Sequence, residues 1–197
     1  MSDISDFERM AEEGQETSER FTGTVFVVDD EPEIVEILSD LICSLGYHVV
    51  GFTEPAPLLQ AFRAGTPDLV VTDHRMPGMT GSELLREIRK IDPAIPVVMI
   101  SGFLDRQDFI QVISEGVFAI IDKPFSSERV LKVCRNAVDF SQAQKVMNRS
   151  LNLLLFHCDD IRTFLDSQGR SDLGQTLQQE IRQMVEQRRK IQGIERG

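Results

Sequence analysis

At 197 residues the chain has room for one ordinary globular domain and a smaller appendage, and 41% hydrophobic with 27% charged residues suffices for a packed core. A formal net charge of −11 argues against non-specific nucleic-acid binding, which needs Lys and Arg to displace counterions from phosphates. The charge is uneven: from residue 139 onward there are 8 acidic and 9 basic residues, against 24 and 12 before it, and an acidic surface of that kind suits metal or protein binding.

The three cysteines, Cys43, Cys134 and Cys158, form no CxxC pair and read as small buried apolar residues in a reducing compartment. The N-terminus lacks a charged-then-apolar signal pattern, and no apolar run approaches the ~20 residues needed to cross a bilayer. The expectation is a cytoplasmic protein with no membrane contact.

Residues 1–22 carry few apolar groups and are expected to be a disordered leader. After them, short β-branched runs recur at Thr24–Val28, His48–Phe52, Leu69–Thr72, Pro96–Ile100 and Phe118–Ile121. Their continuous rather than alternating apolar character predicts strands buried on both faces. Amphipathic segments lie between them, such as the stripe Ile34, Ile37, Leu38, Leu41, Ile42 and Leu45, with Pro32 in its first turn and Gly46 past its end. Alternating strands and helices predict an α/β fold, a parallel sheet covered by helices on both sides. Ligands of such sheets bind beyond the carboxyl ends of the strands.

Those ends carry Asp29 and Asp30 after the first strand, Asp73 after the third, Ser101 after the fourth, and Asp122-Lys123-Pro124 after the fifth. Clustered carboxylates repel one another unless a hard cation neutralises them, and oxygen ligands suit Mg2+. A carboxylate beside such an ion can act as nucleophile toward a phosphoryl group, with Lys123 and Ser101 supplying a charge and a hydroxyl donor to its oxygens. Each residue alone has a plainer reading as a helix cap, turn residue or surface charge. Their joint placement on one edge is what carries the argument.

The segments Val27-Val28-Asp29-Asp30-Glu31, Thr72-Asp73-His74-Arg75-Met76-Pro77-Gly78-Met79-Thr80-Gly81, Ile100-Ser101-Gly102 and Lys123-Pro124-Phe125 resemble the receiver domain of two-component response regulators, over about residues 24–138. The resemblance implies a (βα)5 flavodoxin-like, doubly wound sheet of order 2-1-3-4-5, within a receiver domain at 23–138. It implies Asp73 as phosphoacceptor, Asp30 and Asp73 as Mg2+ ligands, Asp29 acting through water, and the backbone carbonyl of Arg75 completing the set. Ser101 and Lys123 would contact the phosphoryl oxygens. The donor would be a histidine kinase or phosphotransfer protein. Receivers usually place Tyr or Phe three residues before the Lys; here that position is Ile120, which puts the usual Ser/aromatic relay in doubt. Phe118, two residues earlier on the same strand face, is expected to be a buried strand aromatic or, less simply, a substitute.

Val130, Val133, Ala137, Phe140, Gln144, Met147, Leu151, Leu154, Cys158, Ile161 and Leu165 step by three and four, predicting one helix over 127–166 with a coiled-coil or bundle seam. Gln144 is its polar member. Leu153, Leu155 and Phe156 lie off the seam and call for another layer. Residues 167–174 contain two glycines and offer Ser171 or Asp172 as the N-cap of a second helix over 171–193 bearing Leu177, Ile181, Met184 and Ile191. This pattern predicts a helical hairpin that doubles into a four-helix bundle in a homodimer. The segment His157 to Leu165 distantly resembles the phosphoacceptor helix of histidine-kinase dimerisation domains, but aligning Ile161-Arg162-Thr163 puts Asp159 where the reactive His belongs. His157 is therefore read as a surface residue. The basic cluster Arg188-Arg189-Lys190 suits a helix C-terminus.

DNA-binding output is not expected, since the seam leaves too little chain for three packed helices. The expected function is a non-enzymatic signalling receiver. The alternative is a Mg2+-dependent phosphohydrolase of the haloacid-dehalogenase type with an aspartyl-phosphate intermediate. That family needs a second acid two residues after the nucleophile, where this chain has Arg75.

Overall fold

The computed structural model describes residues 22–102 and 106–191; within the last helix, nothing is said of the side chains of Asp159 and of residues 188–191. The expected leader lies, apart from Thr22, outside the described residues, as do the side chains of Arg188-Arg189-Lys190. Thr22 itself is tied down, its amide donating to the Gly46 carbonyl at 3.0 Å.

Five strands form the sheet: β1 (Thr24–Val28), β2 (His48–Phe52), β3 (Leu69–Asp73), β4 (Val97–Ser101) and β5 (Ala119–Asp122). All pairings are parallel, and the order is β2-β1-β3-β4-β5. Helices α1 (Pro32–Cys43), α2 (Pro55–Ala61), α3 (Gly81–Ile91) and α4 (Arg106–Ser114) connect them. A long α5 (Ser127–Ser167) and a final α6 (Ser171–Ile191) follow.

Strand periodicity divides the core. Val25, Val27, Leu69, Val71, Val98, Ile100 and Ile121 pack with Leu38 and Ile42 of α1 and with Val130, Cys134, Ala137 and Val138 of α5. The alternate residues Phe26, Val28, Val70 and Val97 pack with Leu58 and Phe62 near α2 and Leu84, Leu85 and Ile88 of α3. This is the period-2 split of a sheet covered on both faces. Burial on both faces holds for β1, β3 and β4 but not for β2, where His48 and Gly51 are exposed, or for β5, where Asp122 is. The reason is topological, since β2 and β5 are the edges. One stripe assignment and one cysteine assignment also change. Ile37 of α1 is 48% exposed, and Cys43 at the helix end is exposed while Cys134 and Cys158 are buried; all three are free thiols.

The N-terminal half of α5 completes the α/β layer. Ser126 caps it, accepting from the Arg129 amide. Lys145 clamps it to the segment leading into β3, reaching Asp68 Oδ1 at 2.7 Å and the Gly65 carbonyl at 2.6 Å. At 41 residues α5 runs about 60 Å, one residue past the expected end.

The hairpin forms, with two corrections. α6 begins at Ser171, so neither Ser171 nor Asp172 is its cap; Asp172 instead lies in the first turn, where a carboxylate favours the positive end of the helix dipole. Gly174 does not break the helix. It sits inside α6 where a Cβ would come 3.1 Å from Arg162 Cγ, so its missing side chain permits close approach of α5 and α6, while Gly169, at φ +73°, makes the turn.

The expected seam divides. Val130, Ala137 and Cys158 are buried and Gln144, Leu151 and Leu165 half-buried, whereas Phe140, Met147, Leu154 and Ile161 are 44%, 62%, 46% and 37% exposed. One heptad file is consumed within the chain, first by the receiver core and then by α6. The other faces outward, because a single α6 can cover only one side of α5.

Candidate functional site

The order reverses beside β1, whose continuation through α1 leads to β2 on one side while β3 pairs on the other, so the crevice opens above the ends of β1 and β3. Asp29 follows β1 and Asp73 ends β3; they are 0% and 6% exposed. From the next-but-one strand Lys123 reaches across, its Nζ 2.7 Å from Asp29 Oδ2, 2.8 Å from Asp73 Oδ1 and 3.8 Å from Glu31 Oε1. The Lys123 amide is fixed by donation to the Ser101 carbonyl at 2.8 Å.

The remaining carboxylate oxygens are held by backbone. Glu31 N–H donates to Asp29 Oδ1 at 3.0 Å, and Arg75 N–H donates to Asp73 Oδ2. Ser101, 3% exposed, ends β4 beside β3. Asp30 is exposed and lines an open cleft of about 710 Å³ whose other walls include Pro32, Thr53, Pro55, Pro77, Gly78 and Met79.

Burial pushes the Asp29 carboxyl above its usual range, although the hydrogen bonds from Lys123 and Glu31 pull the other way. Burial also lowers the Lys123 ammonium, but the hydrogen bonds and charges of Asp29 and Asp73 outweigh it and leave the pKa raised. The two directions agree physically: one ammonium serves several acids and stays charged, while the most buried acid remains under-compensated. That shortage, with an all-oxygen donor set, fits a hard divalent cation. Among the described residues, however, no three His, Cys, Asp or Glu side chains converge in metal-holding geometry; Asp29 and Asp73 close on Lys123, and Asp30 points to the cleft side.

Three residues escaped the sequence reading. Glu31 completes the acidic group around Lys123. Gly81 lies against Asp73, where a Cβ would be 2.3 Å from the Asp73 carbonyl oxygen, a contact invisible in a glycine that reads only as a loop residue. His74 is 4% exposed, with Nε2 3.3 Å from Asp108 Oδ2 and Nδ1 3.5 Å from Ser82 Oγ. Its position next to the candidate acceptor was the available signal.

The reading of Phe118 as a buried strand aromatic is corrected. It precedes β5, is 37% exposed, and packs against Phe140 of α5 with ring centroids 5.6 Å apart. At about 3.3 Å per residue it stands roughly 16 Å along the strand from Lys123, too far to serve the site. Ile120 is half-buried. His157 is exposed on α5, with Asp160 Oδ2 3.8 Å from its Nδ1.

This doubly wound fold, with its Asp–Lys–Asp bridge at the switch point, is that of a receiver, and residues 25–135 match the response regulator receiver domain. The chain belongs to that family. It is similar to the DNA-binding transcriptional regulator NtrC of Escherichia coli, 30% identical over 131 residues, covering 66% of this chain and 28% of the relative. It is also similar to the C4-dicarboxylate transport transcriptional regulatory protein DctD of Pseudomonas aeruginosa, 31% identical over 157 residues, covering 80% and 33%. The chain thus spans about a third or less of the length of these relatives. Among solved structures, a response regulator receiver domain protein from Clostridium thermocellum superposes with a TM-score of 0.59 at 28% identity, covering 62% of this chain and 98% of that one. No helix among the described residues is long and apolar enough to cross a membrane.

Proposed function

We propose that the chain is a phosphorylation-dependent signalling receiver whose acceptor is Asp73. The observation that carries this reading is the Lys123 ammonium held between Asp29 and Asp73 at the sheet's switch point. The phosphoryl group would pass from the imidazole nitrogen of a histidine kinase or phosphotransfer protein to an Asp73 carboxylate oxygen, with the N–P bond breaking as the O–P bond forms. Lys123 then exchanges part of its contact with Asp73 for the phosphoryl oxygens, and the Ser101 hydroxyl donates to another. Asp30, Asp73 and the Arg75 carbonyl would hold Mg2+, with Asp29 acting through water; bound there, the ion neutralises charge developing on the transferred group. The chain's own chemistry is limited to taking and losing this group.

The output is assigned to protein contact through residues 127–193, by homodimerisation. The outward file Phe140, Met147, Leu154 and Ile161 recurs every seventh residue, and Val146, Leu153 and Phe164 beside it are 66%, 52% and 64% exposed. A second copy offers the same heptad spacing, so the two strips can pair and complete a four-helix bundle. Against direct DNA contact by this segment stands its near balance of charge, 8 acidic and 9 basic residues from 139 onward. The names of NtrC and DctD refer to much longer proteins.

Intact-mass measurement with light scattering, after incubation with Mg2+ and a small acyl-phosphate donor, tests both parts. One added phosphoryl group that is absent from Asp73→Asn, on a species of twice the chain mass, is the expected result. Phosphate retained by Asp73→Asn would move the acceptor elsewhere, and a monomer at micromolar concentration in both states would remove the bundle.

A further inference from the structure

The residue after Asp73, His74, joins the end of β3 to two helices. His74 is nearly fully buried and is bound to three places. Its carbonyl accepts from the Gly81 amide at 2.9 Å, at the start of α3. Its Nδ1 lies 3.5 Å from the Ser82 hydroxyl, also on α3. Its Nε2 lies 3.3 Å from Asp108 Oδ2 on α4.

The corner made by Asp73, His74 and Gly81 has no slack. The Gly81 Cα is packed so closely on the Asp73 carbonyl that not even a methyl group fits. A displacement at the acceptor therefore moves the corner as a unit, His74 ring included. α4 is the opposite case. Val112 is its only fully buried residue, while Phe109, Ile110 and Ile113 are 49%, 58% and 54% exposed. A helix with so few buried contacts lies at the low-stability end of the fold and shifts at small cost.

We propose that His74 is the positioning residue that passes the state of Asp73 to α4, through the contact of its Nε2 with Asp108, and so alters how Phe109, Ile110 and Ile113 are presented. This rests on Asp73 being the phosphoacceptor. Phosphorylation replaces the single carboxylate charge of Asp73 with about two on a phosphoryl group and adds three oxygens at the end of β3, within one residue of the ring.

The test measures amide hydrogen exchange over residues 106–114 with and without acyl phosphate and Mg2+, in the full chain, with phosphate uptake read by intact mass in the same samples. In the wild type, exchange over α4 should change by about fivefold or more on phosphorylation, the lower end of ordinary site-to-site coupling. Asp108→Ala should take up phosphate as the wild type does while its α4 exchange no longer responds. Asp108→Asn, which keeps a carbonyl oxygen to accept from Nε2, should restore the response, as a merely structural role would not require. An unchanged response in Asp108→Ala, or none in the phosphorylated wild type, overturns the relay and leaves the acceptor assignment standing. Loss of phosphate uptake in Asp108→Ala also overturns it, since the pair would then serve the acceptor itself. A wild type that takes no phosphate overturns the acceptor assignment, and the relay with it.

Discussion

Lys123 Nζ and Asp29 Oδ2 lie 2.7 Å apart although 94 positions separate the two residues in the chain. The carboxylate is fully buried and the ammonium mostly so, and Asp73 takes a second hydrogen bond from the same nitrogen. The fold thus holds two buried carboxylates that share one ammonium.

Removing that ammonium should be costly. Lys123→Met leaves Asp29 and Asp73 facing each other without a cation, and breaking a buried pair in this way costs roughly 3 kcal/mol. Urea unfolding at pH 7 should show a loss of that order, together with slower phosphate uptake. Unchanged stability would mean that another cation already compensates the pair.

The same pair sets an alkaline limit. Lys123 has its folded pKa raised above the ordinary value of 10.5, so its contribution is fully present below about 10.5 and is lost as pH rises through the higher folded value. Burial also raises the Tyr47 hydroxyl, and pushes the Cys134 thiol up to about 12, so both erode stability in the same direction as their unfolded forms ionise. The free energy of unfolding from pH 9 to 11.5 should therefore fall more steeply in the wild type than in Lys123→Met. Parallel curves would assign the whole alkaline loss to Tyr47 and Cys134.

Gly81→Ala should damage the corner at the end of β3, since its Cβ would meet the Asp73 carbonyl oxygen at 2.3 Å and His74 Cα at 3.0 Å. Overpacking against backbone of this kind costs about 3 kcal/mol. Gly65→Ala is the control: φ is +81° there, but no atom lies within 4 Å, so only backbone strain of about 1 kcal/mol is expected. Comparable losses in the two variants, measured by thermal or urea unfolding, would refute the steric account.

The divided seam predicts two kinds of mutant in the hairpin. Leu154→Asp, on the outward file, should leave the monomer fold stable and shift light-scattering mass toward one chain. Ile181→Ala, at a site 2% exposed, should instead destabilise the α5–α6 contact by about 2–5 kcal/mol. A monomerising Ile181→Ala with a silent Leu154→Asp would place the interface on the other face.

Much of the molecule was legible in its order of residues. The strands, the parallel α/β class, the long helix and the acids at the strand ends follow from local periodicity and from the fact that each βα unit delivers its strand's last residue to one edge. The spacing of Asp29, Asp73, Ser101 and Lys123 is therefore a local property repeated four times. What lay beyond the sequence were the choices made by packing between distant segments. Only the tertiary structure decided that Phe118 pairs with Phe140 far from the site, that Gly174 is a contact and Gly81 a fit, and that His74 turns toward Asp108. It alone decided which half of the heptad pattern α6 would cover. A helical periodicity marks which faces are apolar, but it carries no information on which of them a neighbour hundreds of atoms away will reach first.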